Sequence, residues 1–208
     1  MHHILLALAA LLLGTPATAA SLGVHVVDAA GKPVRDAVVT LHPVGKAAPL
    51  PAPAHGLAVA QRNLMFHPFL TIVPVGSNVA FPNFDATRHH VYSFSATKRF
   101  EIKLFSRDQS RSVTLDRPGT VAVGCNIHDK MSAFLFVTDT AWTAKTDGSG
   151  NAMFRDVPAG AIIIGVWHPY LRSPEGSVAR QVALGNSPRT EDFAVKLRSP
   201  PIHDMSGY

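Results

Sequence analysis

Short runs of alternating or β-branched apolar residues recur along the chain, and turn signals rich in Gly and Pro separate them. A period of two residues is typical of half-buried β-strands, and after residue 19 no stretch keeps a helical period for three turns. The pattern therefore predicts an all-β protein. The predicted strands are 21–27, 37–41, 69–73, 78–81, 89–94, 100–105, 112–115, 120–123, 133–137, 161–167, 177–184 and 191–197.

The spacing of these strands also indicates how the chain is divided. Residues 20–60 hold a first hairpin and an Ala- and Pro-rich connection at 43–53. About seven short strands between 61 and 140 favour a Greek-key sandwich. Residues 141–198 hold further strands around the turn at 146–154, and 199–208 form a C-terminal tail.

The first residues have the features of a secretory signal peptide. The apolar run Ile4–Leu13 is followed by Gly14, Pro16 and small residues up to Ala19. This pattern predicts a signal peptide over 1–19, cleaved near Ala19 and Ala20. The run is too short to span a bilayer and no later segment is long enough, so we expect an exported, periplasmic protein without a transmembrane segment.

Composition narrows the possible partners. The chain is 47% hydrophobic and 16% charged, with a formal net charge of +5. No run of Lys or Arg occurs, and aromatic residues are not interleaved with basic ones, which argues against nucleic-acid binding. The positive charge favours an acidic partner or an anionic surface.

Cys125 is the only cysteine of the chain. A lone Cys is more often a small buried hydrophobe or a reactive thiol than a ligand. Here it belongs to the pattern Cys125-x2-His128-x2-Met131, which places a thiolate, an imidazole and a thioether within seven residues. Such ligands favour copper, and one Cys, two His and a weak axial Met are the ligands of blue-copper electron-transfer sites.

The second imidazole must then come from elsewhere in the fold. The upstream candidates are His67, His89 and His90. Strand alternation would place His89, Val91 and Ser93 on one face of the strand. His90, Tyr92 and Phe94 would lie on the other, more apolar face. This pattern does not choose between His89 and His90.

Residues 64–138 resemble a cupredoxin of the plastocyanin and amicyanin type. The segments that support the resemblance are 75–83, 89–91, 118–120 and the Cys125–Met131 loop. The resemblance implies one mononuclear type 1 copper site that cycles between Cu(II) and Cu(I), with His89, Cys125, His128 and Met131 as ligands. The family usually has Asn after the first His, where this chain has His90.

The flanking segments resemble a carboxypeptidase-regulatory-like, transthyretin-like β-sandwich. The supporting patterns are Gly31–Val39 and Thr146–Gly160, about 100 residues apart. Either the cupredoxin is inserted into a discontinuous sandwich, which we favour, or the first hairpin adds strands to the cupredoxin. The tandem is similar to exported bacterial proteins labelled methylamine-utilisation or plastocyanin-like.

These patterns predict a one-electron carrier that is not an enzyme, because four protein ligands leave no open position for a substrate. The resemblance implies a redox partner protein, acidic or cytochrome-like, and a monomer. Met65-x-His67 and His203-x-Met205 motivate an alternative, a periplasmic copper carrier or chaperone. A metal-free β-sandwich interaction module is the third possibility.

Overall fold

The fold is described from a computed structural model, which describes residues 20–199 and, for Ala20, the backbone alone. All elements of regular secondary structure between residues 20 and 199 are β-strands, so the all-β prediction is confirmed. The predicted signal peptide at 1–19 and residues 200–208 of the predicted tail, with His203 and Met205, lie outside the described residues. Between residues 20 and 199 no helix has the length and hydropathy to cross a membrane.

The strands of the described chain are short, most of them five to nine residues. They are β1 (Ala20–Asp28), β2 (Val38–Pro43), β3 (Leu57–Ala58), β4 (Ala60–Arg62), β5 (Met65–His67), β6 (Leu70–Pro74), β7 (Asn78–Pro82), β8 (His89–Ser93), β9 (Phe100–Phe105), β10 (Ser110–Thr114), β11 (Gly119–Cys125), β12 (Ser132–Thr138), β13 (Thr143–Lys145), β14 (Asn151–Val157), β15 (Gly160–Trp167), β16 (Val178–Leu184) and β17 (Arg189–Val195).

The first sandwich combines the two ends of the described chain. One sheet has the order β14-β1-β17 and the other the order β13-β2-β15-β16. β1 runs antiparallel to β14 and parallel to β17, and β2 lies between β13 and β15. Inward-facing side chains from both sheets, among them Leu22, Leu41, Ile162 and Ile164, form one buried core. The strands before residue 44 therefore share a core with strands that follow residue 142.

The second sandwich is formed by the chain between them. Its sheets have the orders β10-β7-β3 and β6-β12-β11-β8-β9, and the hairpin β4-β5 lies beside them. Phe81, Leu115, Leu135 and their neighbours form a separate buried core. β11 pairs with β12 along most of its length and with β8 only near its end, where Cys125 lies opposite Val91. This pairing brings the end of β11 beside the beginning of β8.

An aromatic cluster joins the two sandwiches. Phe134 and Phe136 on the outer side of β12 lie 6.0 and 5.4 Å, between ring centroids, from Trp167 at the end of β15. Phe69 completes the cluster by contacting both Phe134 and Tyr170. Aromatic pairs at these distances add about 0.5–1.5 kcal/mol each beyond the area that they bury.

Five strands were not predicted from the sequence, namely β3, β4, β5, β13 and β14. β14 begins inside the segment 146–154, where the sequence pattern favours a turn. The other four have only two or three residues each. A period of two residues cannot be recognised over so short a length. The hairpin β4-β5 matters for the site described below, because its turn contacts the segment that precedes β8.

Gly150 offers a test of how the two ends of the chain pack together. It has a φ of 77°, and a Cβ added there would lie 2.5 Å from the carbonyl oxygen of Val26 in β1. Gly150→Ala should lower the free energy of unfolding by about 2 kcal/mol, because both the backbone conformation and the contact with β1 oppose a side chain. Urea unfolding of the purified protein measures this.

Gly148→Ala is the matched control, since a Cβ there meets nothing within 4 Å. It should change the free energy of unfolding by less than about 0.5 kcal/mol. Equal effects of the two substitutions would contradict the close packing of the 147–151 turn on β1.

Candidate metal centre

Three side chains with metal-binding atoms converge at one end of the second sandwich. They are His89 at the start of β8, Cys125 at the end of β11 and His128 in the following loop, and their ligand atoms all lie within 4.8 Å of one another. Cys125 Sγ is 3.8 Å from His89 Nδ1 and 3.6 Å from His128 Nδ1. A metal bound at about 2.0 Å from nitrogen and 2.3 Å from sulfur separates such atoms by about 3.5–3.7 Å. The spacing therefore fits ligands around a common ion.

The backbone of the 125–131 loop holds two of these side chains together. The N–H of Cys125 donates to the carbonyl of Met131 at 3.3 Å, and the N–H of Met131 donates to the carbonyl of His128 at 3.0 Å. The N–H of Asn126 donates to the carbonyl of His90 at 3.2 Å and ties the loop to β8. Because the loop closes on itself, the short sequence separation becomes a short distance between the Cys125 thiol and the His128 imidazole.

Met131, the fourth predicted ligand, is buried in the same core cluster as Cys125. Its side chain is 2% exposed, and that of Cys125 is 4% exposed. The buried thioether of Met131 is therefore a candidate for the weak axial ligand.

The two neighbouring histidines of β8 point in opposite directions. His89 is fully buried and faces Cys125, whereas the His90 imidazole lies on the outer face with its Nε2 2.8 Å from Glu101. His67 is exposed in β5 and does not belong to the His89–Cys125–His128 cluster.

The buried face of β8 is the less apolar one by sequence. His89, Val91 and Ser93 are buried, whereas Phe94 on the opposite face is 76% exposed. The Tyr92 and Phe94 rings contact each other with centroids 5.0 Å apart and planes tilted by 45°. Aromatic residues can therefore occupy the outer face of β8, and the polar His89 can lie inside because Asp85 accepts a hydrogen bond from its ring.

Asp85 is a further candidate residue of the site, and it was not among those predicted from the sequence. Its carboxylate lies 2.8 Å from His89 Nε2 and accepts hydrogen bonds from the backbone N–H groups of Asn63 and Leu64 at 2.6 and 3.1 Å. Burial by itself raises the pKa of the Asp85 carboxyl, but these hydrogen bonds outweigh it and hold the pKa below 3.8. The ionised carboxylate can only accept a hydrogen bond, so Nε2 of His89 is the donor and Nδ1 is the ring nitrogen that faces Cys125. The signal available in the sequence was the carboxylate of Asp85 four residues before the candidate ligand His89.

Exposure differs among the three clustered side chains. His89 and Cys125 are buried, while His128 is only partly buried. Ile127, next to His128 in the loop, is 47% exposed. The centre is thus shielded from water on most sides, and the His128 imidazole is its connection to the surface.

Comparison with known proteins gives structural similarities only. No protein-family model and no curated protein matches the chain. Among solved structures it is similar to a purple cupredoxin from Nitrosopumilus maritimus, with 16% identity over 39% of this chain and 99% of that chain and a TM-score of 0.37. It is also similar to amicyanin from Paracoccus versutus, with 18% identity over 48% of this chain and 97% of that one and a TM-score of 0.38.

A third similarity is to part of a larger protein. It is a copper-containing nitrite reductase from Thermus scotoductus SA-01, with 24% identity over 55% of this chain and 28% of that one and a TM-score of 0.39.

Proposed function

We propose that this protein binds one copper ion in a type 1 site and carries one electron at a time. The observation that supports this most directly is the convergence of His89, Cys125 and His128 within 4.8 Å. With the buried thioether of Met131, the donor set contains one thiolate, two imidazoles and a weak axial sulfur. This set suits copper in electron-transfer proteins, so the residues present fit the ion.

The surrounding chain supports electron transfer through its rigidity. Copper, when bound, supplies reversible one-electron chemistry. His89 and Cys125 lie at the ends of paired strands in a packed sandwich, and Asp85 orients the His89 ring. Side chains held in this way change position little when the charge at the centre changes, and a small reorganisation favours fast electron transfer. The partly buried His128 imidazole is then the exit and entry point for the electron.

We propose a carrier rather than an enzyme, because four protein ligands leave no open coordination position for a substrate. The net charge of +5 supports a redox partner with an acidic surface, such as a cytochrome. Export to the periplasm is proposed from residues 1–19, and a monomer from the family resemblance. The transthyretin-like identity of the first sandwich is likewise proposed from its turn motifs.

The test is a visible spectrum of the protein during titration with Cu(II), beside Cys125→Ala. We expect one equivalent of copper to produce an intense thiolate-to-copper charge-transfer band that Cys125→Ala lacks. The copper-loaded protein should then cycle reversibly by one electron at an electrode.

Absence of the band would contradict the type 1 site. Uptake of Cu(I) alone, exchangeable with chelators, would favour a copper carrier. The absence of any stoichiometric metal would favour an interaction module.

A further inference from the structure

The turn between β4 and β5 holds a leucine, Leu64, in the left-handed backbone conformation. Asn63 and Leu64 have φ values of 55° and 57°, as in the two-residue type I′ turn of a hairpin. Gly is common at the second position of such turns, whereas here Leu64 carries a side chain that is 45% exposed. A bulky residue with positive φ persists only where its surroundings hold it there.

The surroundings that hold this turn are the carboxylate oxygens of Asp85. Oδ1 accepts the N–H of Asn63 and Oδ2 accepts the N–H of Leu64, so both turn residues are bound through their backbone. The same Oδ2 lies 2.8 Å from His89 Nε2. The Asp85 side chain is 11% exposed; its bond to His89 is partly buried, and its two bonds to the turn lie at the surface. One carboxylate thus joins an exposed turn to a buried candidate ligand.

The three N–H donors, from His89, Asn63 and Leu64, share the one negative charge of the Asp85 carboxylate. A stronger acceptor at Nε2 makes the imidazole a better electron donor through Nδ1, which favours Cu(II) over Cu(I). The two N–H groups of the turn draw part of the carboxylate charge away from His89. Moving the turn away should therefore strengthen the hydrogen bond to His89, and neutralising Asp85 should weaken it.

We propose that Asp85 is a positioning residue through which the Asn63–Leu64 turn sets the electron-donor strength of His89, and with it the reduction potential of the site. The effect on the potential rests on the proposed function. The hydrogen-bonded connection itself can be tested on the metal-free protein.

The experiment inserts one glycine between Asn63 and Leu64, in the natural chain and in Asp85→Asn. The first readout is the NMR shift of the His89 Nε2 proton in the metal-free protein, and the second is the potential of the copper-loaded protein. In the natural chain the insertion should move the proton downfield and lower the potential. Asp85→Asn alone should do the opposite and weaken Cu(II) binding about tenfold or more.

The double variant decides whether the turn acts through Asp85. In the Asp85→Asn background the insertion should leave both readouts at the values of Asp85→Asn alone. Equal shifts in the two backgrounds, or no proton shift in the natural chain, would overturn the proposal. Leu64→Gly keeps both N–H donors and should change neither readout, and a shift there as large as that of the insertion would also overturn it.

The two readouts separate this inference from the proposed function. If copper gives no charge-transfer band while the proton shifts behave as expected, the connection stands and the type 1 site fails. If the band is present and the proton does not respond to the insertion, the connection alone fails.

Discussion

Replacing His89 with alanine is expected to abolish the thiolate-to-copper band, whereas replacing His90 with alanine is expected to leave it intact. His89 is fully buried with Nδ1 3.8 Å from Cys125 Sγ, and His90 lies on the opposite face of β8. Removing an outer-shell partner of a metal ligand lowers affinity by about 10–100-fold, and removing a ligand should exceed that. Titration of each variant with Cu(II), followed by visible absorption at equilibrium, measures both the intensity of the band and the affinity for copper.

The two substitutions form a matched pair, because they remove the same side chain from adjacent positions of one strand. His90→Ala loses the hydrogen bond with Glu101 and the ring contact with Tyr92, and because the His90 side chain is only 13% exposed, the free energy of unfolding should fall by about 1–2 kcal/mol while the fold is kept. Circular dichroism and urea unfolding of the metal-free proteins check that both variants keep the fold. Loss of the band in His90→Ala with its retention in His89→Ala would reverse the assignment of the ligand.

Acidification from pH 7 to pH 4 should remove about 3 kcal/mol of unfolding free energy through His168 alone. Burial lowers the pKa of His168 to about 4, from 6.5, although the nearby Asp36 charge and a backbone hydrogen bond with Arg35 oppose this. Its Nδ1 accepts the N–H of Tyr170 at 3.1 Å, which requires the neutral ring. The unfolded chain therefore binds a proton between pH 6.5 and 4 that the folded chain does not. The stabilisation is complete above pH 6.5 and is lost as the pH falls towards 4.

His168→Asn isolates this contribution from the carboxyl groups that also titrate in acid. Asparagine keeps an acceptor near the position of Nδ1 but does not bind a proton. Urea unfolding of the metal-free proteins at pH 7 and pH 4.5 gives the stability difference between the natural chain and the variant. That difference should shrink by about 2–3 kcal/mol on acidification. A difference that is the same at both pH values would rule out His168 as the titrating group.

The local part of the site could be predicted from the sequence. Cys125, His128 and Met131 lie within one loop, and a loop that links two antiparallel strands keeps its residues close whatever the rest of the chain does. The all-β fold was also predictable, since most strands are long enough for an alternating pattern to show. The sequence motifs further predicted that the cupredoxin-like segment interrupts a second sandwich. Its proposed boundaries stay a prediction, although β1 and β2 do pair with strands that follow residue 142.

The remaining part of the site, formed by His89, Asp85 and the Asn63–Leu64 turn, depends on contacts between segments that are distant in the sequence. Strand alternation left the choice between His89 and His90 open, and in the structure the face with Tyr92 and Phe94 is the outer one while His89 is buried. The Asn63–Leu64 turn left no clear signal, because it lacks the usual glycine and its strands have three residues each. The position of Asp85, four residues before His89, was a signal, but its hydrogen bonds to the turn were not visible in the sequence.

The sequence by itself thus determined the fold class and the short segment that holds Cys125, His128 and Met131, while the donor chemistry of that segment stays a prediction. These properties follow from periodicity and from short separations along the chain, which folding does not alter. Only the tertiary structure decided which histidine faces Cys125, and that Asp85 connects His89 to an exposed turn. The physical reason is that strand pairing and burial choose between adjacent side chains through contacts with residues tens of positions away, and a local pattern contains no record of those contacts.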